Sequence, residues 1–257
     1  MSLSNQEIES LKERSRILRL EIFDGARKYG GYHFGGSLSA VEILVSLYKK
    51  ILTPIDRFIL SKGHAAIALY PLLVEQGYSP NRTILHPDLD LENGINCTSG
   101  SLGTGFPVGL GMAFARKIQG KPGRIFVLMG EAECQEGTTW ESLLLAKHHK
   151  LDNLMGIIDR NNFQGSDSVE SILSLGDLSE KFKAFGAKVI VVDGHSHQDL
   201  INALTENSDG RCTIIIANTI KGKGAKIMEQ DPASWHGNFP PQEQLEQIYK
   251  DLGGEMK

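Results

Sequence analysis

The feature that most constrains this fold is a regular alternation of short apolar runs with helical segments in the second half of the chain. After Lys121 the order is "RIFVLM", "TTWESLLLAKHHK" and "LMGIID", followed later by "AKVIVVDG", "HQDLINALTEN" and "RCTIIIANT". Continuously apolar strands that alternate with helices indicate βαβ units, in which a parallel sheet is buried on both faces. The alternation therefore predicts the α/β class, with a parallel sheet and helices on both of its faces.

The first half of the chain predicts further elements of the same fold. Apolar spacing indicates a helix over Asn5–Tyr29, and "DRFILS" indicates a short buried strand at Asp56–Ser61. A second helix is expected to open at "SAVEILVSLYKKI", where Ser39 and Glu42 have the spacing of a capping box. "AAIALYPLLVEQGY" predicts a helix with a kink or break at Pro71.

No repeat or clear linker separates these elements, so residues 1–257 are expected to form a single domain. The last stretch, residues 238–257, combines a proline-broken loop with a polar helix. Such a segment adds little to a core of its own, and we expect this C-terminal extension to pack on a partner chain.

Charge and cysteine usage argue against several functional classes. The net charge is −4, which does not favour nucleic acid or an anionic membrane as a partner. The N-terminus lacks the apolar core of a signal peptide, and no apolar run approaches the roughly 20 residues of a membrane span. The three cysteines (Cys97, Cys134 and Cys212) are far apart and lack metal-ligand spacing. A reduced, cytoplasmic protein is therefore expected.

Glu131 and Asn161 stand just beyond the predicted strands "RIFVLM" and "LMGIID". The carboxyl ends of parallel strands meet at one rim of a sheet, where open α/β folds bind their ligands. Carboxylate and carboxamide oxygens suit a hard cation such as Mg²⁺, whose coordination is usually completed by phosphate oxygens. The alternative interpretation is a helix-capping acid and a turn asparagine. The full pattern from Gly130 to Phe163 favours the metal site.

Glycines are concentrated between Gly94 and Gly137, chiefly in "TSGSLGTGFPVGLGMAFA". Glycines before a helix leave bare backbone N–H groups that can approach a ligand closely. The spacing Gly103-x-Gly105-x-x-x-Gly109 partly resembles a dinucleotide fingerprint. No clear strand precedes it, however, and no acidic residue follows at the expected distance of about 20 residues. A nicotinamide-dependent dehydrogenase is therefore a distant alternative.

Four of the eight histidines stand in turns beside glycine, proline or aromatic residues: His33, His64, His86 and His236. Together they predict a polar pocket for acid/base chemistry or oxyanion binding. Zinc binding is the competing interpretation, although no pair has ligand spacing along a helix or ribbon. His195 and His197 precede a predicted helix and could be capping or surface groups.

Taken together, these motifs resemble the transketolase family, specifically the N-terminal subunit of a split transketolase. The family's cofactor motif opens with G-D-G and closes with N-N or a close variant, and "GEAECQEG" and "DRNNFQ" correspond to its two ends. The other family marks occur here in the same order, as "HFGGSLSAVEIL", "LSKGHAAIALY", "TSGSLGTGFPVGLGMAFA" and "TIKGKGAKIMEQDPASWHG". They span most of the chain.

The resemblance implies a thiamine diphosphate-binding fold, with thiamine diphosphate and Mg²⁺ as cofactors. It implies three metal ligands: the Glu131 carboxylate, the Asn161 side chain and the backbone carbonyl of Phe163. Further residues implied to contact the cofactor are His64, Gly100, Ser101, Leu102, Gly130, Ala132 and Ile220. Residues implied to act in catalysis are His33, His86, His236 and Glu136, the last through a network that links two active sites.

The implied reaction is transfer of a two-carbon ketol unit from a ketose, such as a sugar phosphate, to an aldehyde acceptor. The chain stops where a full transketolase would begin its pyrimidine-binding domain. Activity is therefore expected only with a separate pyrimidine-domain subunit, in an α2β2 assembly. The rival hypotheses are a 2-oxo acid dehydrogenase or decarboxylase component, which shares the cofactor motif, and a cofactor-binding scaffold without turnover.

Several residues depart from the family pattern. Glu131 stands where the family has aspartate, and Ala132 where it has glycine. The extra methylene moves the carboxylate outward by about 1.5 Å. We therefore expect a retreating loop, acceptance of a larger ion such as Ca²⁺ or Mn²⁺, or weakened cofactor binding. Tyr32 and Phe34 replace the glycine and proline that flank the family's histidine, which predicts a reshaped substrate channel.

Overall fold

The computed structural model describes residues 2–30, 33–83, 85–165 and 167–256. Its strands are β1 (Arg57–Leu60), β2 (Ile125–Gly130), β3 (Leu154–Arg160), β4 (Phe163–Gln164), β5 (Asp167–Ser168), β6 (Lys188–Asp193) and β7 (Thr213–Asn218). Five of them form a sheet in the order β1-β2-β3-β7-β6, in which every pairing is parallel. β4 and β5 form a separate antiparallel ribbon.

The helices alternate with these strands as the sequence predicts. They are α1 (Asn5–Tyr29), α2 (Phe34–Ser39), α3 (Val41–Ser46), α4 (Ala66–Glu75), α5 (Gly105–Ile118), α6 (Gly137–His148), α7 (Val169–Leu173), α8 (Leu178–Ala184), α9 (His197–Thr205), α10 (Lys226–Gln230) and α11 (Gln242–Asp251). A π-helical turn, Leu47–Ile51, continues α3. Short 3₁₀ turns follow β1 (Gly63–Ala65) and β2 (Glu131–Gln135), and a third spans Leu91–Asn93.

The sheet is buried on both faces. Phe126 and Leu128 of β2 belong to a core that also contains residues of α1, α3, α4 and α9. The alternate residues Ile125, Val127 and Met129 belong to a second core with residues of α5, α6 and α8. Successive side chains of a strand point to opposite faces, so helices must cover both sides. The predicted fold class is confirmed.

The close approach of α5 to the sheet depends on Gly109. A β-carbon built at this position would lie 2.5 Å from Cγ2 of Val127 in β2. Because real β-carbons do not come this close to another atom, a larger residue would push α5 away from the strand. The glycine-rich segment thus has a packing role in addition to any ligand-binding role.

Two expectations about the first half of the chain are wrong in detail. Ser39 does not cap a helix, because it ends α2 and its hydroxyl donates to Oδ2 of Asp159 at 2.6 Å. Its interaction partner is 120 residues away, far outside the reach of local spacing rules. Pro71 does not break α4, which continues through it to Glu75. A kink at Pro71 stays a prediction. The helix over Asn5–Tyr29 and the strand within Asp56–Ser61 are confirmed.

The C-terminal helix packs within this chain along one face. Leu245, Ile248 and Tyr249 of α11 are buried in the core that contains α1. The Tyr249 hydroxyl donates to Asp24, and its ring lies 6.3 Å from that of Phe23. Packing of residues 238–257 on a partner chain stays a prediction. In the described parts of the chain, no helix combines the length and apolar character needed to cross a bilayer.

Candidate functional site

Parallel pairing brings Glu131 and Asn161 to the same rim of the sheet. Gly130 of β2 is opposite Asp159 of β3, so the residues that follow these two strands emerge side by side. Glu131 is 5% exposed and Asn161 is 9% exposed. Phe163 begins β4 two residues later. We call Glu131, Asn161 and the backbone carbonyl of Phe163 the oxygen rim.

Glu131 is held by one backbone N–H group and by one side-chain cation, which a metal ion could replace. Its Oε2 accepts a hydrogen bond from the backbone N–H of Asn162 at 2.9 Å, and Nε of Arg160 lies 3.4 Å from its Oε1. Burial raises the pKa of the Glu131 carboxyl, and these two donors oppose that rise. Since the Arg160 side chain is 34% exposed, its ion pair with Glu131 is weak and can be given up for a stronger ligand.

The oxygen rim fits a hard cation that also binds a phosphate. Oxygen ligands suit Mg²⁺, Mn²⁺ and Ca²⁺, and the rim is made of oxygen donors. Within the described residues, no group of three or more His, Cys, Asp or Glu side chains is arranged to hold a metal by itself. An ion at the rim would therefore need further oxygens from a ligand such as a diphosphate, which is how Mg²⁺ is usually bound.

Glu133, two residues after Glu131, connects three segments around the rim. Its Oε1 accepts hydrogen bonds from the Ser61 hydroxyl and from the Gly103 N–H at 3.1 Å, and its Oε2 accepts from the Gly130 N–H at 2.7 Å. The side chain is fully buried, and this burial raises the pKa of its carboxyl while the hydrogen bonds oppose the rise. Glu133 therefore ties together the ends of β1 and β2 and the segment before α5.

The glycine loop, residues 99–104, lies between Glu136 and His86. A β-carbon at Gly103 would come within 2.6 Å of Cβ of Glu136, and Gly103 has a φ of +73°, which favours glycine. A β-carbon at Gly100 would lie 3.1 Å from Cγ of His86. Gly100, Ser101 and Leu102 are exposed, so their backbone is accessible to a ligand.

The four turn histidines lie together, as expected from the sequence. The ring centroid of His33 is 5.0 Å from that of His236, 5.8 Å from that of His64 and 5.9 Å from that of His86. The rings of His64 and His236 are 6.1 Å apart. We call these four residues the histidine cluster. Zinc binding gains no support, since no metal-binding group is found among the described residues.

Hydrogen bonding and burial define the protonation of the histidine cluster. Nδ1 of His33 lies 2.6 Å from the backbone carbonyl of His236, and because a carbonyl only accepts, Nδ1 carries a proton. Burial lowers the pKa of His64 well below its usual range, helped by the charge of Lys62. Burial also lowers the pKa of His86, and burial together with His33 and Lys221 lowers the pKa of His236 to about 4. These three rings are therefore neutral at pH 7.

Two buried lysines that were not expected from the sequence, Lys62 and Lys221, each interact with residues at the oxygen rim and in the histidine cluster. Lys62 donates to the Gly36 carbonyl at 2.7 Å and is ion-paired with Asp159, and both charged side chains are almost inaccessible to solvent. Asp159 also accepts from Ser39 and Thr219, so its carboxylate is enclosed by donors of this chain. Asp159 is therefore a structural acid beneath the rim.

Lys221 is the second buried cation. Its Nζ donates to the Gly165 carbonyl at 3.1 Å and lies 5.5 Å from the centre of the Phe163 ring. Burial lowers the pKa of Lys221 to about 8, with a contribution from Lys62. A buried lysine whose Nζ meets a carbonyl and a ring face at this rim is suited to an anionic ligand. Both lysines occur within motifs quoted above, "SKGHAA" and "TIKGKG", but lysines are usually exposed, and only the fold reveals their burial.

The remaining predicted site residues lie next to Glu131 or follow β7. Gly130 and Ala132 flank Glu131 and are half-buried. Ile220 follows β7, is 41% exposed, and its N–H donates to Nε2 of His195 at 2.9 Å. The expected effect of Phe34 on a substrate channel is wrong, because Phe34 is fully buried and stacks on Phe23 at 4.9 Å. Tyr32 lies outside the described residues.

A parallel α/β sheet whose strand ends gather oxygen atoms, buried lysines and neutral histidines is typical of a domain that binds a phosphate-bearing cofactor. Comparison with known families is consistent with this class. The chain belongs to the family described as "Transketolase, thiamine diphosphate binding domain", whose family model matches residues 10–257. The resemblance seen in the sequence is thereby confirmed.

Relatives of similar length are named as subunits. The chain is 33% identical to an apulose-4-phosphate transketolase subunit of Phocaeicola vulgatus, over 98% of this chain and 95% of the relative. It is 35% identical to "6-deoxy-6-sulfo-D-fructose transketolase subunit SqwG" of Clostridium sp. (strain MSTE9), over 90% of this chain and 92% of the relative. These relatives are transketolases, a class of transferases, and their names describe them as parts of larger enzymes.

Longer transketolases match over part of their length. Human transketolase is 33% identical over 98% of this chain, which covers 43% of that enzyme. The crystal structure of transketolase from Campylobacter jejuni aligns with a TM-score of 0.85 and 27% identity, over 99% of this chain and 44% of that one. The chain thus corresponds to less than half of these enzymes.

Proposed function

We propose that this chain is the diphosphate-binding subunit of a thiamine diphosphate-dependent, transketolase-like enzyme. The reaction would transfer a two-carbon ketol unit from a ketose, such as a sugar phosphate, to an aldehyde acceptor. The observation that carries the proposal is that buried Lys62 connects the oxygen rim to the histidine cluster. Lys62 is paired with Asp159, which is opposite Gly130 at the rim. A β-carbon at Gly36 would lie 3.6 Å from Nζ of Lys62 and 2.5 Å from Nε2 of His64. Two relatives of similar length that are named as transketolase subunits support the proposal.

The chain's own residues would hold the cofactor at the carboxyl ends of its strands. Glu131, Asn161 and the Phe163 carbonyl would bind Mg²⁺, or Ca²⁺ or Mn²⁺, and the metal would bind the diphosphate. The residues proposed to line the cofactor are His64, Gly100, Ser101, Leu102, Gly130, Ala132 and Ile220. When bound, thiamine diphosphate supplies a nucleophilic carbon and an electron sink for C–C bond cleavage.

The histidine cluster would bind the sugar and move its protons. Because Nδ1 of His33 is occupied by the His236 carbonyl, Nε2 is the ring nitrogen left to form a hydrogen bond with a sugar hydroxyl. Neutral His86 and His236 can each donate or accept a hydrogen bond, which suits hydroxyl groups whose protons leave and return. Glu136, beside the glycine loop, would extend such a network towards a second active site.

A partner chain is part of the proposal. The pyrimidine-binding domain would come from a separate chain, in an α2β2 enzyme of the cytoplasm, and nucleic acid or membrane partners are not expected. Apolar side chains are exposed beside the glycine loop and on α5 and α6, which pack on each other: Leu102, Val108, Leu144 and Leu145. Because α5 and α6 are neighbours, we propose that their exposed apolar side chains belong to the interface with the partner chain.

The test compares the isolated chain with the chain assembled with its pyrimidine-domain partner. Binding of thiamine diphosphate is titrated in Mg²⁺, Ca²⁺ and Mn²⁺, and ketol transfer is assayed from ketose phosphates to aldehydes. We expect transfer only by the assembled enzyme. Transfer by the chain alone would contradict the need for a partner. Release of CO₂ from a 2-oxo acid would instead support the dehydrogenase or decarboxylase alternative, and no cofactor binding with any metal would support a scaffold.

A further inference from the structure

The loop that follows β7 carries two residues of the proposed cofactor site, Ile220 and Lys221. It is anchored at its start, where the Thr219 N–H donates to the Arg160 carbonyl at 2.9 Å. It is anchored again where the Gly222 N–H donates to the Gly35 carbonyl at 3.1 Å. Between these anchors, the position of Ile220 depends on its contact with His195. We call residues 219–224 the β7 loop.

His195 binds one partner with each ring nitrogen. Its Nδ1 lies 2.8 Å from Oε2 of Glu42, and its Nε2 lies 2.9 Å from the backbone nitrogen of Ile220. The Ile220 N–H can only donate, so Nε2 of His195 accepts and carries no proton. The carboxylate can only accept, so Nδ1 carries the proton. His195 is thus a neutral ring with one tautomer, oriented between a buried acid and the β7 loop.

Glu42 is itself fixed by Arg19. Two guanidinium nitrogens of Arg19 reach the two carboxylate oxygens, at 2.8 and 2.9 Å. Burial raises the pKa of Glu42, but its contacts with His195 and Arg19 outweigh this effect and lower the pKa to about 2. The third nitrogen, Nε of Arg19, donates to the Lys223 carbonyl at 2.7 Å. Arg19 on α1 and Glu42 on α3 thus reach the β7 loop at two points.

A bidentate Arg–carboxylate pair has a defined geometry. Because Nδ1 of His195 is bonded to Glu42, this pair fixes the orientation of the His195 ring. The ring orientation in turn fixes the position of Nε2, which accepts from Ile220. Lys221 is the next residue, and its side chain is packed against Gly35, where a β-carbon would lie 2.8 Å from Cε of Lys221. A shift of the Ile220 backbone would therefore also disturb the contacts of the adjoining Lys221 side chain with Phe163 and Gly165. Removing an outer-shell partner of a metal ligand commonly costs about 10- to 100-fold in affinity, and we expect an effect of this order for a group that orients Ile220.

We propose that His195 is a positioning residue, which fixes Ile220 and Lys221 in the cofactor site through the chain Arg19–Glu42–His195. The expected effect on cofactor affinity rests on the proposed function, because Ile220 and Lys221 would contact the cofactor. The placement of the loop by His195 does not depend on that function. Both ring nitrogens of His195 are engaged by Glu42 and Ile220, so it acts on the site through Ile220.

Two substitutions separate the two hydrogen bonds of His195. In His195→Gln, the side-chain oxygen can occupy the place of Nε2 and accept from Ile220, while the contact with Glu42 is lost. In His195→Asn, the side-chain nitrogen can occupy the place of Nδ1 and donate to Glu42, while the acceptor for Ile220 is lost. His197→Gln is the matched control, because His197 is buried between the hydroxyls of Ser15 and Ser46.

The first measurement is hydrogen exchange of a peptide covering residues 219–224, in the full chain without cofactor. We expect His195→Asn to speed exchange of the Ile220 amide by about tenfold or more, because the acceptor is lost. His195→Gln and His197→Gln should stay within about twofold of the parent. Equal exchange in the Asn and Gln variants, or no change in either, would overturn the positioning role.

The second measurement is affinity for thiamine diphosphate with Mg²⁺ in the assembled enzyme. We expect a loss of about 10- to 100-fold for His195→Asn and less than about fivefold for His195→Gln and His197→Gln. If the loss of cofactor affinity in the three variants parallels their loss of thermal stability, the proposal is contradicted. If the parent enzyme binds no cofactor, the proposed function fails, and the exchange experiment still decides whether His195 positions the loop.

Discussion

Two carboxylates in one short turn, Glu131 and Glu133, have opposite surroundings. Glu133 is enclosed by one hydroxyl and two backbone N–H groups, all from this chain. Glu131 accepts from one backbone N–H and has a partly exposed arginine as its other partner. Both are buried, and burial raises the pKa of both carboxyls. Burial alone therefore does not distinguish the acid that stabilises the fold, Glu133, from the acid that is expected to bind a ligand, Glu131.

The difference lies in whether the partners can be replaced. An acid whose acceptor positions are used by fixed backbone groups cannot take a ligand without breaking the fold. An acid beside a partly exposed cation can exchange that cation for a metal at small cost. Asp159 resembles Glu133 in this respect, since Ser39, Lys62 and Thr219 surround it. We therefore expect stability to depend on Glu133 and ligand binding to depend on Glu131.

The largest effect is expected for Glu133→Ala. It leaves the Ser61 hydroxyl and the Gly103 and Gly130 N–H groups without their acceptor, which should lower the free energy of unfolding by about 3–5 kcal/mol. Urea unfolding of the chain without cofactor measures this loss. Glu141→Ala, on the exposed face of α6, is the control and should change stability by less than about 0.5 kcal/mol. An equally small change for Glu133→Ala would remove the distinction between the two acids.

Glu131→Ala is expected to act on binding. Since loss of an outer-shell partner of a metal already costs about 10- to 100-fold, loss of a ligand should weaken metal-dependent cofactor binding by about 100-fold or more. Calorimetric titration of thiamine diphosphate with Mg²⁺ checks this in the assembled enzyme. Glu131→Asp restores the shorter side chain of the family and should bind as well as the parent or better. If Glu131→Ala binds metal and cofactor normally, Glu131 is not a ligand.

A pH series tests whether the fold holds His236 neutral. The pKa of His236 is lowered from 6.5 to about 4 in the folded chain. Between these values the unfolded chain binds more protons, so this contribution to stability is complete above pH 6.5 and is lost as the pH falls towards 4. From about pH 7 to about pH 4.5, the parent should lose about 1–2 kcal/mol of unfolding free energy relative to His236→Gln.

The free energy of unfolding changes with pH in opposite directions for the histidine and for the carboxylates. A raised carboxyl pKa, as for Glu133, gives a contribution that is present below the usual value of 4.5 and is lost as the pH rises through the folded value. Urea unfolding of the parent and of His236→Gln across the series gives the difference directly. A difference that does not vary with pH would mean that His236 is not held neutral by the fold.

The smallest effect is expected for Arg160→Gln. Removing the competing cation should strengthen metal-dependent cofactor binding by about two- to fivefold, because a partly exposed ion pair is worth about 0.2–1 kcal/mol. Lys183→Gln removes the same charge from an exposed pair with Glu180 on α8 and is the control. Weaker binding in Arg160→Gln would show that Arg160 supports the ligand instead of competing for Glu131.

Much of the site can be predicted from local sequence, and the parts that cannot share a physical cause. Glu131 and Asn161 are accessible to prediction because each follows a strand, and parallel pairing brings strand ends to one rim. The histidine cluster is accessible because its members stand in turns. The burial of Lys62 cannot be predicted from local sequence, because it depends on Asp159, which is 97 residues away.

The same cause explains the wrong expectations. Ser39 has the spacing of a helix cap, but its partner is also Asp159, and the tertiary contact overrides the local pattern. Phe34 stands where a substrate channel is expected, yet it packs in the core against Phe23. His195 has the local setting of a capping or surface group because neither Glu42 nor Ile220 is near it in sequence.

The sequence by itself determined the alternation of strands and helices, the rim at which ligands bind and the residue types gathered there. These follow from periodicity and from strand ends, which depend on a few neighbouring residues. Only the tertiary structure decided which acid is enclosed and which is replaceable, which lysines are buried and which histidine holds the β7 loop. Each of these depends on hydrogen-bond partners from distant segments, because a buried polar group is defined by what the fold places beside it.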